Sequence, residues 1–230
     1  MNIKDKAFES SIKALIINKI FIKDDRMPSA DNKFIIDEFS IANFTRRVDL
    51  ILANNYKLYA FEVKSDFDSL IRLKGQVDEY LEHFDKVTVV AASKHIDKAL
   101  QLTPEQVAIW EVSEGKLKII RRGKVIPITD KFKYIKMMTL VELLNFAKKM
   151  NIDIKDKKRK MVELSLLNIP TIALKKQAID NLRNRYKKRG KNYFDKNNFS
   201  HYGFNKKNES RRKNVESKSI DSLIHSIENL

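Results

Sequence analysis

Residues 46–70, RRVDLILANNYKLYAFEVKSDFDSL, place charged side chains inside an otherwise apolar strand pattern. Alternate residues of a strand share a face. In Phe61-Glu62-Val63-Lys64 the two charged residues therefore point one way and the two apolar residues the other. Asp49 is the lone acid of the run 48–53. A hairpin turning through a loop at 54–57 pairs Ala53 with Leu58 and sets Asp49 opposite Glu62. Carboxylates so placed have their Cβ atoms roughly 5 Å apart, an unfavourable pairing in an apolar sheet unless it is protonated or neutralised. A divalent cation resolves the conflict, and Mg2+, a hard ion that takes oxygen ligands from one or two carboxylates and from phosphate, suits it best. The chain has no cysteine, which removes thiolate metal sites, disulfides and a catalytic thiol. Lys64 adds a fixed positive charge on the same face. A Lewis acid, a metal-bound water and a cation beside the developing charge are what phosphodiester hydrolysis needs.

Elements able to hold these groups surround them. A helix is expected over 5–21, with Ala7, Ile12, Leu15, Ile16 and Ile20 at helical spacing. Strands are expected over 33–40, 46–53 and 58–64, the first of them carrying Glu38 as a further acid near the metal face. Helical periodicity resumes over 68–84 through Leu70, Leu73, Val77 and Leu81. On that helix Arg72, Gln76 and Tyr80 recur at intervals of four and share a face. Asp66 and Asp68, just before it, suit N-capping. A buried strand follows at 86–92 (KVTVVAA), then a helix near 94–102 and strands at 107–112 and 116–121 joined by Ser113-Glu114-Gly115. The pattern is α/β with mixed strand directions.

At this point a resemblance is plain. Asp49 followed after twelve residues by Glu62-Val63-Lys64 resembles the D-x(n)-E-x-K signature of the PD-(D/E)xK, or restriction-endonuclease-like, nuclease superfamily. Gln76-Val77-Asp78-Glu79-Tyr80 is similar to the Q-x-x-x-Y helix motif of its RecB-like members, and EVKSDFDSLIRLKGQVDEY resembles a group of bacterial and phage proteins assigned to it. Val48 stands where the family pattern has proline. The resemblance covers residues 30–120 and implies a restriction-endonuclease-like mixed sheet flanked by helices. It further implies metal-dependent hydrolysis of phosphodiester bonds that leaves a 5′-phosphate. Asp49 and Glu62 would bind Mg2+, with Mn2+ able to substitute and Glu38 as a further ligand. Lys64 would position or activate water, with Gln76 assisting and Arg72 and Tyr80 facing nucleic acid.

The charge distribution adds a partner. The formal net charge is +16, and residues 151–230 hold 20 basic against 9 acidic residues. Such an excess favours polyanions. Three segments are expected: a nuclease-like domain over 1–135, a basic helical extension over 136–190, and a largely disordered basic tail over 191–230 ending in a short helix at 220–227. The extension, with helices at 139–149, 156–167 and 171–188, faintly resembles helix–extension–helix modules of the SAP type. Its Lys175, Lys176, Arg183, Arg185, Lys187, Lys188 and Arg189 are candidate phosphate contacts. The tail interleaves aromatic residues with charge, which suits stacking on bases. DNA is favoured over RNA as the partner. No apolar run reaches membrane-span length, and a cytoplasmic location is expected. Five glycines exclude a P-loop or a dinucleotide fingerprint. The competing reading is a catalytically inactive nucleic-acid-binding module or adaptor of the same fold.

Overall fold

The computed structural model describes residues 8–22, 33–41 and 46–196, with side chains described up to Tyr186. It is a mixed α/β structure whose six strands form one sheet in sequential order. The strands are β1 (Lys33–Ile41), β2 (Arg46–Asn54), β3 (Lys57–Lys64), β4 (Lys86–Ala92), β5 (Ala108–Ser113) and β6 (Lys116–Arg121). The helices are α1 (Glu9–Ile22), α2 (Leu73–His83), α3 (Ile96–Leu102), α4 (Lys131–Met137), α5 (Leu140–Lys149), α6 (Arg159–Ser165) and α7 (Thr171–Lys196). Among the described residues no helix is long and apolar enough to cross a membrane.

Turn chemistry sets the antiparallel edges. β2 and β3 are joined by two residues, Asn55 and Tyr56, with φ of 47° and 56°. That backbone matches the twist of a tight hairpin, and it fixes the expected pairing of Ala53 with Leu58. Glu114 and Gly115, at φ 49° and 69°, close β5 onto β6 in the same way. The parallel pairs β3–β4 and β4–β5 need crossovers, which α2 and α3 supply on the same side of the sheet. β4 is buried along nearly its whole length, as its unbroken β-branched run requires of a central parallel strand.

The two faces of the sheet are covered differently. Leu58, Ala60, Val87, Val89, Ala91 and Ile109 share one core with Leu73, Val77 and Tyr80 of α2. The other face receives α1, whose Ile12, Ile16 and Ile20 are buried, and Lys19 lies 5.4 Å from the Trp110 ring on β5. The α2-side core continues without a break into Tyr134, Leu143, Phe146, Val162, Leu174, Ile179 and Leu182. Residues 1–193 accordingly form one compact unit, with 194–230 as a second. The expected helical extension thus shares the core of the sheet. α4, which periodicity did not mark, begins at an Asp130 cap that accepts from the Phe132 amide at 2.9 Å.

Buried Asp85 is the staple between these parts. Its carboxylate accepts from the Leu58 amide (2.8 Å), the Ile128 amide (3.4 Å) and Lys175 Nζ (2.7 Å). One side chain therefore ties β3, the segment before α4, and α7.

Candidate active site

The β2–β3 ladder ends at Leu50 and Phe61. The next residues in that register are Asp49 and Glu62, and here the strands part. Asp49 bridges the gap by accepting the Val63 amide on Oδ2 at 2.8 Å. Glu62 and Lys64, one strand period apart, both point to the α2 side and are almost fully buried, at 1% and 6% exposure. The Lys64 ammonium donates to Glu62 Oε1 at 2.7 Å and to Gln76 Oε1 at 3.1 Å. Gln76 returns an N–H to Glu62 Oε1 at 2.6 Å. The Tyr80 hydroxyl stands 2.8 Å from both Glu62 Oε2 and the Arg47 carbonyl, with one proton to share between two acceptors. Burial, and then the Glu62 charge, raise the Tyr80 phenol above its ordinary value, so it is a fixed neutral donor.

Asp49, Glu62, Lys64 and Gln76 thus converge as their spacing predicts. Tyr80 belongs to the same cluster but is fully buried, so it orients Glu62 and cannot meet nucleic acid directly. Arg72 is exposed at the start of α2, just outside the helix. The helix opens at Leu73, later than its apolar spacing suggests. Asp68 does not cap it; it turns back to accept from the Ser65 amide and hydroxyl.

Two participants escaped the sequence reading. Carboxylate oxygens of Glu9, Glu38 and Asp49 lie within 4.8 Å of one another. Lys13, one turn along α1 from Glu9, is 5% exposed and donates to Glu9, Asp37 and Glu38 at 2.8, 2.9 and 2.8 Å. Burial lowers its ammonium, but the three carboxylates more than offset this and hold it above its ordinary value. A lysine on the isoleucine face of α1, four residues after a glutamate, was the available signal. Glu38 itself has a left-handed backbone, φ 57°, an uncommon state for a residue with a side chain. The strand turns over there: Ile36 and Phe39 join the same core, which strict alternation forbids.

The Asp49 carboxyl is pushed up to about 7, first by burial and next by the charge of Glu62, against the opposing pull of the Val63 amide. An all-oxygen donor set with an excess of constrained negative charge fits a hard divalent ion. Glu9, Glu38 and Asp49 lie close enough together to share it, but Lys13 and Arg47 bond the two oxygens of Glu38, which would have to release one of them to join. Both oxygens of Glu62 are already bonded by Lys64, Gln76 and Tyr80, so Glu62 would join only by releasing a partner.

Several cations expected on nucleic acid are engaged inside the fold. Lys175 pairs with Asp85 and lies 5.6 Å from the Tyr134 ring. Arg183 bonds Asp180 and stacks on Phe34, and Arg185 donates to the Met137 carbonyl at 2.7 Å. Lys176 stays exposed, 5.2 Å from the Tyr56 ring. The side chains of Lys187, Lys188 and Arg189 lie outside the described ones, as do the tail and its expected helix at 220–227. A cleft of about 880 Å³ opens beside Glu38, lined in part by His83, Lys133, Lys136 and Arg185. Its cations are matched by acids: Lys133 by Glu82, Lys136 by Glu163 and Arg185 by Glu142.

Fold and site together define a mixed α/β protein with a buried carboxylate–lysine centre at the end of a hairpin. The family model described as Bacteriophage P4 protein cII matches residues 2–223, and the chain belongs to that family. It is 34% identical over 157 residues to "Protein cII" of Enterobacteria phage P4, an alignment that spans 66% of this chain and 59% of that protein. Among solved structures it is similar to "SPO1766 protein of unknown function from Silicibacter pomeroyi", at 16% identity. That likeness covers 55% of this chain and 82% of the other with a TM-score of 0.36, too slight to carry an argument.

Proposed function

We propose that this chain is a metal-dependent nuclease of restriction-endonuclease-like fold that hydrolyses phosphodiester bonds, in DNA rather than RNA. The observation that carries the reading is the convergence of Asp49, Glu62, Lys64 and Gln76 at the point where β2 and β3 separate. A structural ion pair needs one acid and one base. Here the acids outnumber the bases: Asp49 and Glu62 share a partly closed site with Lys64, and beside them Glu9, Asp37 and Glu38 are answered by Lys13 and Arg47.

Asp49, with Glu9 and Glu38, would hold Mg2+ or Mn2+. Bound there, the ion would supply Lewis-acid polarisation of the phosphate and a more acidic water. Lys64 has three donors, two of them given to Glu62 and Gln76, so one remains for the attacking water or a phosphate oxygen. Gln76 fixes the ammonium by accepting from it while donating to Glu62. Tyr80 holds the far side of Glu62, and the trio keeps Lys64 aimed before substrate arrives, as electrostatic stabilisation requires. Water oxygen attacks phosphorus in line, the bond to the 3′ oxygen breaks, and a 5′-phosphate and a 3′-hydroxyl result.

The second reading, an inactive nucleic-acid-binding module, has one specific support: the chain's own side chains bond both oxygens of Glu62. A cleavage assay on supercoiled, linear and single-stranded DNA and on RNA, with Mg2+, Mn2+ or EDTA, separates the two. We expect cleavage that needs the metal and falls by at least about 10²-fold in Lys64→Ala. Salt-sensitive binding with no cleavage by either protein would instead establish the binding module.

A further inference from the structure

Beside the centre lies a small apolar patch that no step above uses. Phe8 is 50% exposed, Phe67 60% and Ile71 90%. The two phenylalanine rings stack on one another at 5.1 Å with an interplanar angle of 27°. Their positions in the chain are telling. Phe8 immediately precedes Glu9 of the carboxylate group, and Phe67 follows Lys64 by three residues. The aromatic pair is therefore tethered to the centre from both of the elements that build it.

The turn that presents Phe67 is tightly held. Asp68 Oδ2 accepts from the Ser65 amide at 2.8 Å and from its hydroxyl, and the Ser65 hydroxyl in turn accepts from the Phe67 amide at 3.3 Å. From the far side His95 Nε2 contacts the Ser65 carbonyl at 3.1 Å, and the Lys94 ammonium bonds the Asp66 carbonyl. These contacts hold the backbone of the turn, and the stack on Phe8 orients the ring, which stays 60% exposed. The ring is preorganised for an occupant, which lowers the cost of binding one.

We propose that Phe8 and Phe67 form a stacking platform for an unpaired nucleobase of the strand whose phosphate lies at Asp49 and Lys64. This rests on the nuclease reading and extends it to substrate form: single strands, or duplex ends and junctions that can release a base. Every base offers a π-face, so a rigid aromatic surface grips a strand without reading its sequence. Arg46 and Arg47 are exposed at the start of β2 on the same end of the sheet, with Arg47 bonded to Glu38 Oε2 at 2.5 Å. Three side chains fall far short of the roughly 800 Å² that a stable protein partner covers, and that occupant is the less fitting one.

The test uses the full chain with oligonucleotides in EDTA, so that binding is read without cleavage. A 2-aminopurine flanked by thymines reports stacking by loss of its fluorescence, and anisotropy reports affinity. We expect wild type to quench the probe in single strands and much less in blunt duplex. Phe67→Ala and Phe67→Leu, both at an exposed position, should lose the quench and bind single strands about tenfold more weakly. Phe67→Trp should retain both properties, and thermal melting should show all three variants folded. Equal quench and affinity in wild type, Phe67→Ala and Phe67→Leu would overturn the platform and leave the patch to a protein partner. Stacking without cleavage under any metal would remove the nuclease reading alone. Normal cleavage with an unchanged quench would remove the platform alone.

Discussion

Asp49 holds its proton far more tightly in the folded protein than its ordinary value of 3.8 allows, with a carboxyl pushed up to about 7. The causes are burial and then Glu62. An acid whose folded value lies above its unfolded one stabilises the fold while both states are protonated. That contribution is lost as pH rises from about 4 to about 7, because the unfolded chain ionises first. In EDTA, Asp49→Asn should therefore come close to wild type at pH 4 and exceed its stability at pH 8 by about 4 kcal/mol, since an amide oxygen can still accept the Val63 N–H. Mg2+ at pH 8 should stabilise wild type and have little effect on the variant. Denaturant titrations at the two pH values check this, and coincident curves at pH 8 would show that Asp49 carries no constrained charge. Lys13 works in the opposite sense at the same site. Its ammonium already neutralises part of the charge on Glu9, Asp37 and Glu38, so the acids can coexist before any cation arrives.

Among the elements, what could be read beforehand follows from what sets each one. The strands were legible because β-branched runs and two short turns define them, and the register of β2 on β3 followed from the loop length. That register is why Asp49, Glu62 and Lys64 could be placed together from spacing alone. The turnover of β1 at Glu38 was not legible, since a left-handed glutamate has no composition cue. The start of α2 was misplaced because Asp66 and Asp68 look like caps, while Ser65 offers Asp68 a nearer pair of donors. α7 shows the limit most clearly. A basic helix looks like a phosphate-tracking surface, yet only tertiary packing reveals that its Lys175 answers the buried Asp85. Removing one partner of a buried pair strands the other, at about 3–5 kcal/mol. Lys175→Met should cost about 3 kcal/mol, because Asp85 keeps its two amide donors. Lys175→Met combined with Asp85→Asn should recover part of that loss. Thermal or urea unfolding of the two variants decides it, and a loss under 1 kcal/mol in Lys175→Met would mean that water, rather than Lys175, compensates Asp85.

For the molecule as a whole, the decisive question is where the folding unit ends. Net charge divides the chain near residue 150, and the motif-bearing segment closes by 121, so composition suggests a self-sufficient catalytic domain with a basic attachment. The packing argues otherwise. α5, α6 and α7, with Leu166 just after α6, place Leu143, Phe146, Val162, Leu166, Leu174, Ala178, Ile179 and Leu182 in the core that also holds Leu58, Val87 and Tyr80. At roughly 1.5–3 kcal/mol for each large apolar side chain buried, those residues outweigh the marginal net stability of a domain. Within them Glu163, 4% exposed, is held by Lys136 and Arg159 across a helix boundary that a cut at 135 would destroy. A chain of residues 1–135 should therefore not fold. It should show no cooperative thermal transition, should expose apolar surface to hydrophobic dyes, and should lack metal-dependent cleavage. A chain of residues 1–193 should melt cooperatively, because it keeps every contact of the compact unit. A cooperative transition in the shorter chain would mean that the sheet with α1 to α3 is stable alone. The centre at Asp49 and Lys64 would then be a detachable module, with α4 to α7 free to serve the substrate. Failure of the shorter chain alone, with the longer one sound, would tie the geometry of Glu62 and Tyr80 to helices a hundred residues further along the chain.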